Sequence, residues 1–313
     1  MSDPRDPVAA RRARAAALSL EHGGVLSRRR LREAGVDRRM VGREVKAGRW
    51  VRHGVQTVST TNGALDPLAR RWRAVWEVGA RVAAVDGVTA LQHAGMTGFE
   101  DDRVHVSVRH TTEVEDVEGV VIHKVIRRVP HEVVGAGLPR TVPAVAAVRA
   151  AHWAVSDRQA ALLLVLPVQQ RLCTGAQLLE AVTVVRGRTR RAFIRTVVAD
   201  IADGAHSLGE IDVVEALRRR GLPPPTRQAV RRLPGGKAYL DLEWAEARLV
   251  VEVDGSGHLA GLQMLDDTMR QNDIQLGDEL VLRVALLGWR LSRDAYLDQI
   301  CTAYRLRVGR SAA

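Results

Sequence analysis

The chain has 313 residues, 46% of them hydrophobic and 27% charged, and its 47 Lys and Arg against 36 Asp and Glu give a formal net charge of +11. That length allows two or three domains, and the apolar content suffices for a sizeable core, which excludes a globally disordered chain. No apolar run reaches the roughly 20 residues of a membrane span, and the two cysteines, Cys173 and Cys301, form no CxxC pair, which argues against a zinc ribbon or a disulfide framework. The positive balance favours a polyanionic partner, foremost nucleic acid; arginine placed freely on solvated faces would give the same balance. With charges but no apolar leader at the N-terminus, the expected compartment is the cytoplasm.

A short tail through Asp6 and Pro7 precedes a helical, Arg-rich pattern from Val8 to Glu21, stopped by Gly23 and Gly24. Ser27 is placed to cap a second helix that ends at Gly35, and Asp37 to cap a third, Arg38 to Ala47, ended by Gly48. Trp50 to Val58 then reads as a small hairpin. This order predicts a winged helix-turn-helix over residues 1–61, with its third helix lying across a major groove. The candidate DNA-binding residues are Arg38, Arg39, Arg43 and Lys46 on that helix and Arg52 at the wing, flanked by Arg49. Such cations neutralise phosphates, and one or two can reach base edges. A small helical domain with a solvated basic face is the plainer alternative.

Residues 62–205 predict a mixed α/β middle region of unassigned role. Pro67 to Val78 reads as a helix rich in Trp and Arg, followed by Val82 to Ala94 with Asp86 and Thr89 as candidate caps. Val104 to Val108 and Val120 to Lys124 read as strands, and four helices follow around Val142–Trp153, Asp157–Leu166, Gly175–Val185 and Arg190–Ala202. The histidines here, His93, His105, His110, His123, His131 and His152, have no regular metal-ligand spacing and read as packing or surface residues.

Residues 206–313 predict a third region. Ser207 and Glu210 have capping-box spacing at the head of a helix to Arg220. Strands follow at about Gln228–Leu233, Lys237–Trp244 and Arg248–Asp254, the last two as a hairpin. A helix over Leu262–Leu276, a strand over Leu280–Leu287 and a helix over Arg293–Leu306 complete it. The fold class is therefore α/β (α+β), with a C-terminal mixed sheet flanked by helices.

The stretch YLDLEWAEARLVVEVDGSGH, Tyr239 to His258, carries the chemistry. Glu252 and Asp254 alternate onto one face of an apolar strand, and Asp241 lies on the neighbouring strand. Carboxylates in so apolar a setting repel one another and lose hydration, and a hard divalent cation, Mg²⁺ or Mn²⁺, is the simplest compensation. Gly255 and Gly257 permit a tight turn, and His258 just beyond it could donate to a phosphate or assist proton transfer. The plainer readings are a solvated Asp241 at a hairpin end, Glu252 paired with an arginine such as Arg231 or Arg283, and Glu210 closing its capping box.

These residues resemble the PD-(D/E)xK nuclease superfamily in its Vsr-like (very-short-patch-repair) branch, within an actinobacterial family labelled a domain of unknown function. The matching stretches are SLGEIDVVEALRRRGLPPP, YLDLEW, LVVEVDGSGH and MRQNDIQLGDELVLRVALLGWRL, about a quarter of the chain. The resemblance implies a restriction-endonuclease-like fold with Asp241 and Glu252 as the motif acids and Glu210 completing the metal site. It also implies Asp254, His258, Asp267 and Arg270 in the same cleft, with Arg270 as a further DNA-binding residue. The motif's usual lysine, two residues after the second acid, is Asp254 here, so His258, Arg270 or a second metal would have to substitute. GGVLSRRRLREAGVDRRMVGREVKAGRWVRHGVQTV is similar to the winged-helix domain of AbiEi-like (type IV toxin–antitoxin) antitoxins, which implies DNA recognition but establishes no toxin partner.

Two functions follow as expectations. One is a metal-dependent DNA endonuclease with Asp241, Glu252, Asp254 and His258 at the catalytic centre and Glu210, Asp241 and Glu252 holding the cation. The other is a non-catalytic transcriptional regulator or antitoxin-like protein on a degenerate nuclease fold. In both, DNA is the partner, no membrane is engaged, and a homodimer is allowed.

Overall fold

The computed structural model describes residues 7–202, 208–233, 236–254 and 279–311. The chain is mixed α/β, with three sheets among the described residues. It divides into two compact units: residues 1–150 with 184–188, and residues 151–183 with 189–313. Among the described residues no helix is long and apolar enough to cross a membrane.

The first unit opens with α1 (Pro7–Leu20), β1 (Val25–Ser27), α2 (Arg28–Glu33), α3 (Arg38–Lys46), β2 (Val51–Arg52) and β3 (Thr57–Ser59). Ser27 and Asp37 cap α2 and α3 as their positions predict, accepting from the backbone N–H of Arg30 and Met40. Between the two helices Gly35 takes φ 77°, a left-handed turn position that glycine occupies without steric cost. The wing is a three-stranded sheet in the order β1-β3-β2, with Leu26 opposite Val58 and Arg52 opposite the same Val58. Leu26, Leu31, Met40, Val41, Trp50 and Val58 close the core beneath it.

The unit continues with α4 (Pro67–Gly79), β4 (Ala84–Val85), α5 (Gly87–His93), β5 (Val104–Arg109), β6 (Val120–Val125), β7 (Val133–Val134), β8 (Arg140–Thr141) and most of α6 (Pro143–Trp153). Its sheet has the order β6-β5-β4-β8-β7, with β5 and β6 parallel. A buried ionic network crosses this module. Arg149 binds Asp86 at 2.7 Å and Glu132 at 2.8 Å, and Arg128 binds Glu132 at 3.1 Å. Ser107 donates to Asp86, so each buried charge meets a partner. His105 bridges Asp101 (3.0 Å) and His123 (2.9 Å) in a second polar chain. A carboxylate only accepts, so the proton on the neutral His105 sits on Nε2. Nδ1 therefore accepts from His123.

The second unit holds α7 (Asp157–Gln169), α8 (Gly175–Val184), α9 (Arg191–Ala202), α10 (Leu208–Arg219), β9 (Thr226–Leu233), β10 (Gly236–Trp244), β11 (Leu249–Asp254), β12 (Leu280–Ala285) and α11 (Leu286–Ser311). The last strand stops at Ala285, earlier than its apolar run suggests, and α11 begins at once with a break at Ser292. The sheet order is β12-β11-β10-β9, antiparallel except for the parallel pair β11 and β12. Leu242, Trp244, Leu249 and Val251 point from this sheet into one core with Leu217 of α10 and Trp289, Leu297 and Ile300 of α11. Full burial of each such side chain contributes about 1.5–3 kcal/mol. Ion pairs tie the helices over that core: Arg220 with Asp294 and Asp298, and Arg290 with Asp200.

Candidate functional site

The basic face of the winged helix forms as helical spacing dictates. At about 100° per residue, Arg38, Arg39, Arg43 and Lys46 fall within an arc of roughly 140° on α3. All four are exposed, while Met40, Val41 and Glu44 on the far side are buried. Arg52 on the wing is also exposed, and its Nη2 lies 3.9 Å from where a Cβ on Gly42 would sit, so the wing cation reaches the same helix. None of these five cations pairs with a carboxylate among the described residues. The one acid of α3, Glu44, is only 2% exposed and bound by Arg49 at 2.6 Å and Arg12 at 2.9 Å. The hydrogen bond from Arg49, then that from Arg12, hold its carboxyl below the usual range against the opposing effect of burial. The acid therefore staples α1 to α3 and keeps its charge away from the basic face.

The wing is fixed from outside its own hairpin. Glu77 on α4 accepts the backbone N–H of Val55 at 2.9 Å and of Gln56 at 3.0 and 3.1 Å. Arg73, one turn earlier, donates to the carbonyl of His53 at 2.7 Å, and Arg28 donates to that of Val55 at 2.6 Å. Gly54 sits between at φ 155°, where an added Cβ would collide with the Glu77 carboxylate. Burial and then Arg73 push the His53 imidazole below its ordinary value, so this wing residue is neutral at pH 7. Sequence reasoning missed Glu77 and Arg73. Both read as polar positions on an amphipathic helix, and their partners lie about 20 residues away.

In the second unit, Leu242 and Val251 are directly opposite on β10 and β11 and face the core. Alternation then turns Asp241 and Glu252, one residue further along each strand, to the other face together. The ladder between these strands covers Leu242–Trp244 against Leu249–Val251; just beyond it the Asp241 Oδ2 accepts the backbone N–H of Val253 at 2.8 Å. Glu252 is 4% exposed. Its register partner on β12 is Arg283, whose Nη2 lies 3.5 Å from Oε2, so the arginine alternative raised by the sequence is realised by the parallel pairing.

Two hard carboxylates on one face suit Mg²⁺ or Mn²⁺. Among the described residues, however, no group of three His, Cys, Asp or Glu side chains comes together to hold a metal. Glu210 lies on α10 and Asp254 ends β11, but the side chains of both lie outside the described residues, as do His258, Asp267 and Arg270 entirely.

No family model matches the chain, and no curated protein matches it. Among solved structures, the chain is similar to the crystal structure of the RV2827C protein from Mycobacterium tuberculosis, at 16% identity and a TM-score of 0.41. That alignment covers 64% of this chain and 78% of the other. A likeness at this level carries no argument about function.

Proposed function

We propose that this protein binds duplex DNA through its N-terminal winged helix. The observation that carries the reading is the set of five exposed cations, Arg38, Arg39, Arg43 and Lys46 on α3 and Arg52 on the wing. Phosphate contacts release counterions, so affinity should fall steeply with salt. If all five meet phosphates, log K should fall with log salt at a slope of about −4.5, from roughly −0.9 per contact. Fluorescence anisotropy of labelled duplexes over a salt series tests this. Each of Arg39→Ala and Arg43→Ala should lower the slope by about 1. Binding indifferent to salt, or slopes unchanged in both variants, would refute the reading.

A second reading, metal-dependent cleavage of DNA, is favoured by Asp241 and Glu252 sharing one face of neighbouring strands. Asp241, Glu252 and Glu210 would hold Mg²⁺ or Mn²⁺, which when bound would supply an activated water and a polarised phosphate. The protein's own part is to fix the two carboxylates by strand register and the Val253 N–H. Calorimetric titration of Mn²⁺ into wild type and Glu252→Gln, beside plasmid cleavage by wild type and Asp241→Ala, tests it. Metal heats equal in both proteins, or cleavage equal in both, would leave DNA binding alone.

A further inference from the structure

A cleft of about 370 Å³ opens beside α2, between that helix, Gln56 of the wing and the face of α4 that carries Trp72 and Trp76. One wall is aromatic. The two indole rings lie 5.1 Å apart with planes inclined by 31°. Trp76 is 7% exposed, and Trp72 is half-buried. His22 packs against both rings, at 4.7 and 5.3 Å, which holds the aromatic wall rigid.

The other wall is cationic, formed by Arg29, Arg30 and Arg32. Glu33 binds Arg29 at 3.0 Å and Arg30 at 3.5 Å, and so restrains two guanidiniums at the rim. Three arginines against one glutamate leave this wall with a charge of +2. Core packing explains Trp76 and His22, and a solvated basic helix would explain the arginines alone. Neither explains why a half-buried indole and three guanidiniums line one concave space of ligand size. A planar ring stacks on Trp, and guanidinium forks match phosphate oxygens.

We propose that this cleft is a binding site for a nucleotide, with the base against Trp72, the phosphate among Arg29, Arg30 and Arg32, and the Gln56 amide at the base edge. The full-length protein is titrated calorimetrically with AMP, GMP, CMP and UMP, without DNA, beside adenosine and inorganic phosphate as half-ligands. Saturable binding of at least one nucleotide is expected, with both half-ligands weaker by tenfold or more, about 1.4 kcal/mol or more. Arg30→Ala, at an exposed position that leaves the fold intact, should weaken binding by about tenfold, the loss of one charge-assisted contact. Trp72→Phe should retain binding and Trp72→Leu lose it, with melting temperatures recorded for both. No saturable binding of any nucleotide, binding indifferent to Arg30→Ala, or phosphate alone binding as tightly would overturn the proposal. Because DNA is absent from the assay, its failure leaves the DNA-binding reading standing.

Discussion

If α4 holds the wing in its DNA-binding position, removing the Glu77 carboxylate should weaken DNA affinity even though it removes a negative charge. Glu77 accepts from two successive backbone N–H groups, those of Val55 and Gln56. Hydrogen bonds to a charged acceptor contribute about 1.5–3 kcal/mol each in protected settings. The wing tip is open to solvent, with Val55 72% exposed, so we take about 1 kcal/mol for each. Glu77→Ala should then loosen the wing, still held by Arg73 and Arg28, at a cost of about 2 kcal/mol, and DNA affinity should fall by up to about 30-fold. Simple charge arithmetic predicts the opposite sign, because a protein that loses an acid attracts DNA more strongly. Glu77→Gln separates the two effects, since it removes the charge and keeps one acceptor. Anisotropy with a labelled duplex reads the result, and both variants binding as tightly as wild type would refute the clamp.

The same contact can be tested without DNA through Gly54. At φ 155° any side chain is strained, and an added Cβ would also displace the Glu77 carboxylate from its two N–H partners. Gly54→Ala should cost about 1–2 kcal/mol in strain plus the clamp energy in wild type, and the strain alone in Glu77→Ala. The double-mutant cycle should therefore give a coupling of about 2 kcal/mol, the clamp energy itself. An equal cost of Gly54→Ala in both backgrounds would mean that the carboxylate does not restrain the turn.

Other outcomes follow from the buried charges. Arg149→Leu leaves Asp86 and Glu132 buried with only Arg128 beside them, and should cost about 3–5 kcal/mol in urea unfolding; a loss below about 1 kcal/mol would contradict the network. Burial lowers the His105 pKa and holds that of His123 at about 3, so the unfolded chain takes up protons below about 6.5 that the folded chain refuses. Stability should fall as the pH drops below about 6.5, down toward pH 3 in the case of His123, by at most about 1.4 kcal/mol per pH unit for each histidine. The depressed Glu44 carboxyl contributes stability above its unfolded value of about 4.3, which is lost as pH drops through its folded value. Unfolding midpoints equal at about pH 7 and about pH 5 would refute the histidine part. Arg283→Met should destabilise the second unit by leaving Glu252 buried beside a lost partner, and Glu252→Gln should restore part of it. Millimolar Mg²⁺ should raise the melting temperature of Arg283→Met more than that of wild type if the carboxylates can share a cation; equal shifts would argue that they cannot.

The sequence made the capped helices legible because their signals are local. Ser27, Asp37 and Asp86, each expected as a cap, accept a backbone N–H in their own first turn. The α3 cations were legible for the same reason, since exposure follows a periodicity that the residues themselves encode. The strands β1, β7 and β8 were not legible. They are two or three residues long, too short for a periodicity to show, and β1 and β8 depend on partners far along the chain, as Val25 with Ser59 and Arg140 with Val85 show. The hairpin at Asp241 and Glu252 was placed correctly by its apolar runs, although its turn lacks the usual glycine. The left-handed position there is occupied by Arg248, at φ 45° and ψ 45°.

The alternation that lifts Glu252 onto the same face as Asp241 also lays it beside Arg283, because β11 pairs with β10 on one side and β12 on the other. Strand periodicity encodes the first neighbour, whereas the second depends on a parallel pairing that returns after a long excursion of the chain. A buried carboxylate needs positive charge, and the Arg283 guanidinium, 3.5 Å away and 37% exposed, supplies some of it. If the sheet takes a divalent ion, as the second functional reading proposes, the arginine and that ion would be rivals for one carboxylate. The competition between them, read through Arg283→Met in the presence and absence of Mg²⁺, separates an ion-paired structural sheet from a metal-dependent one.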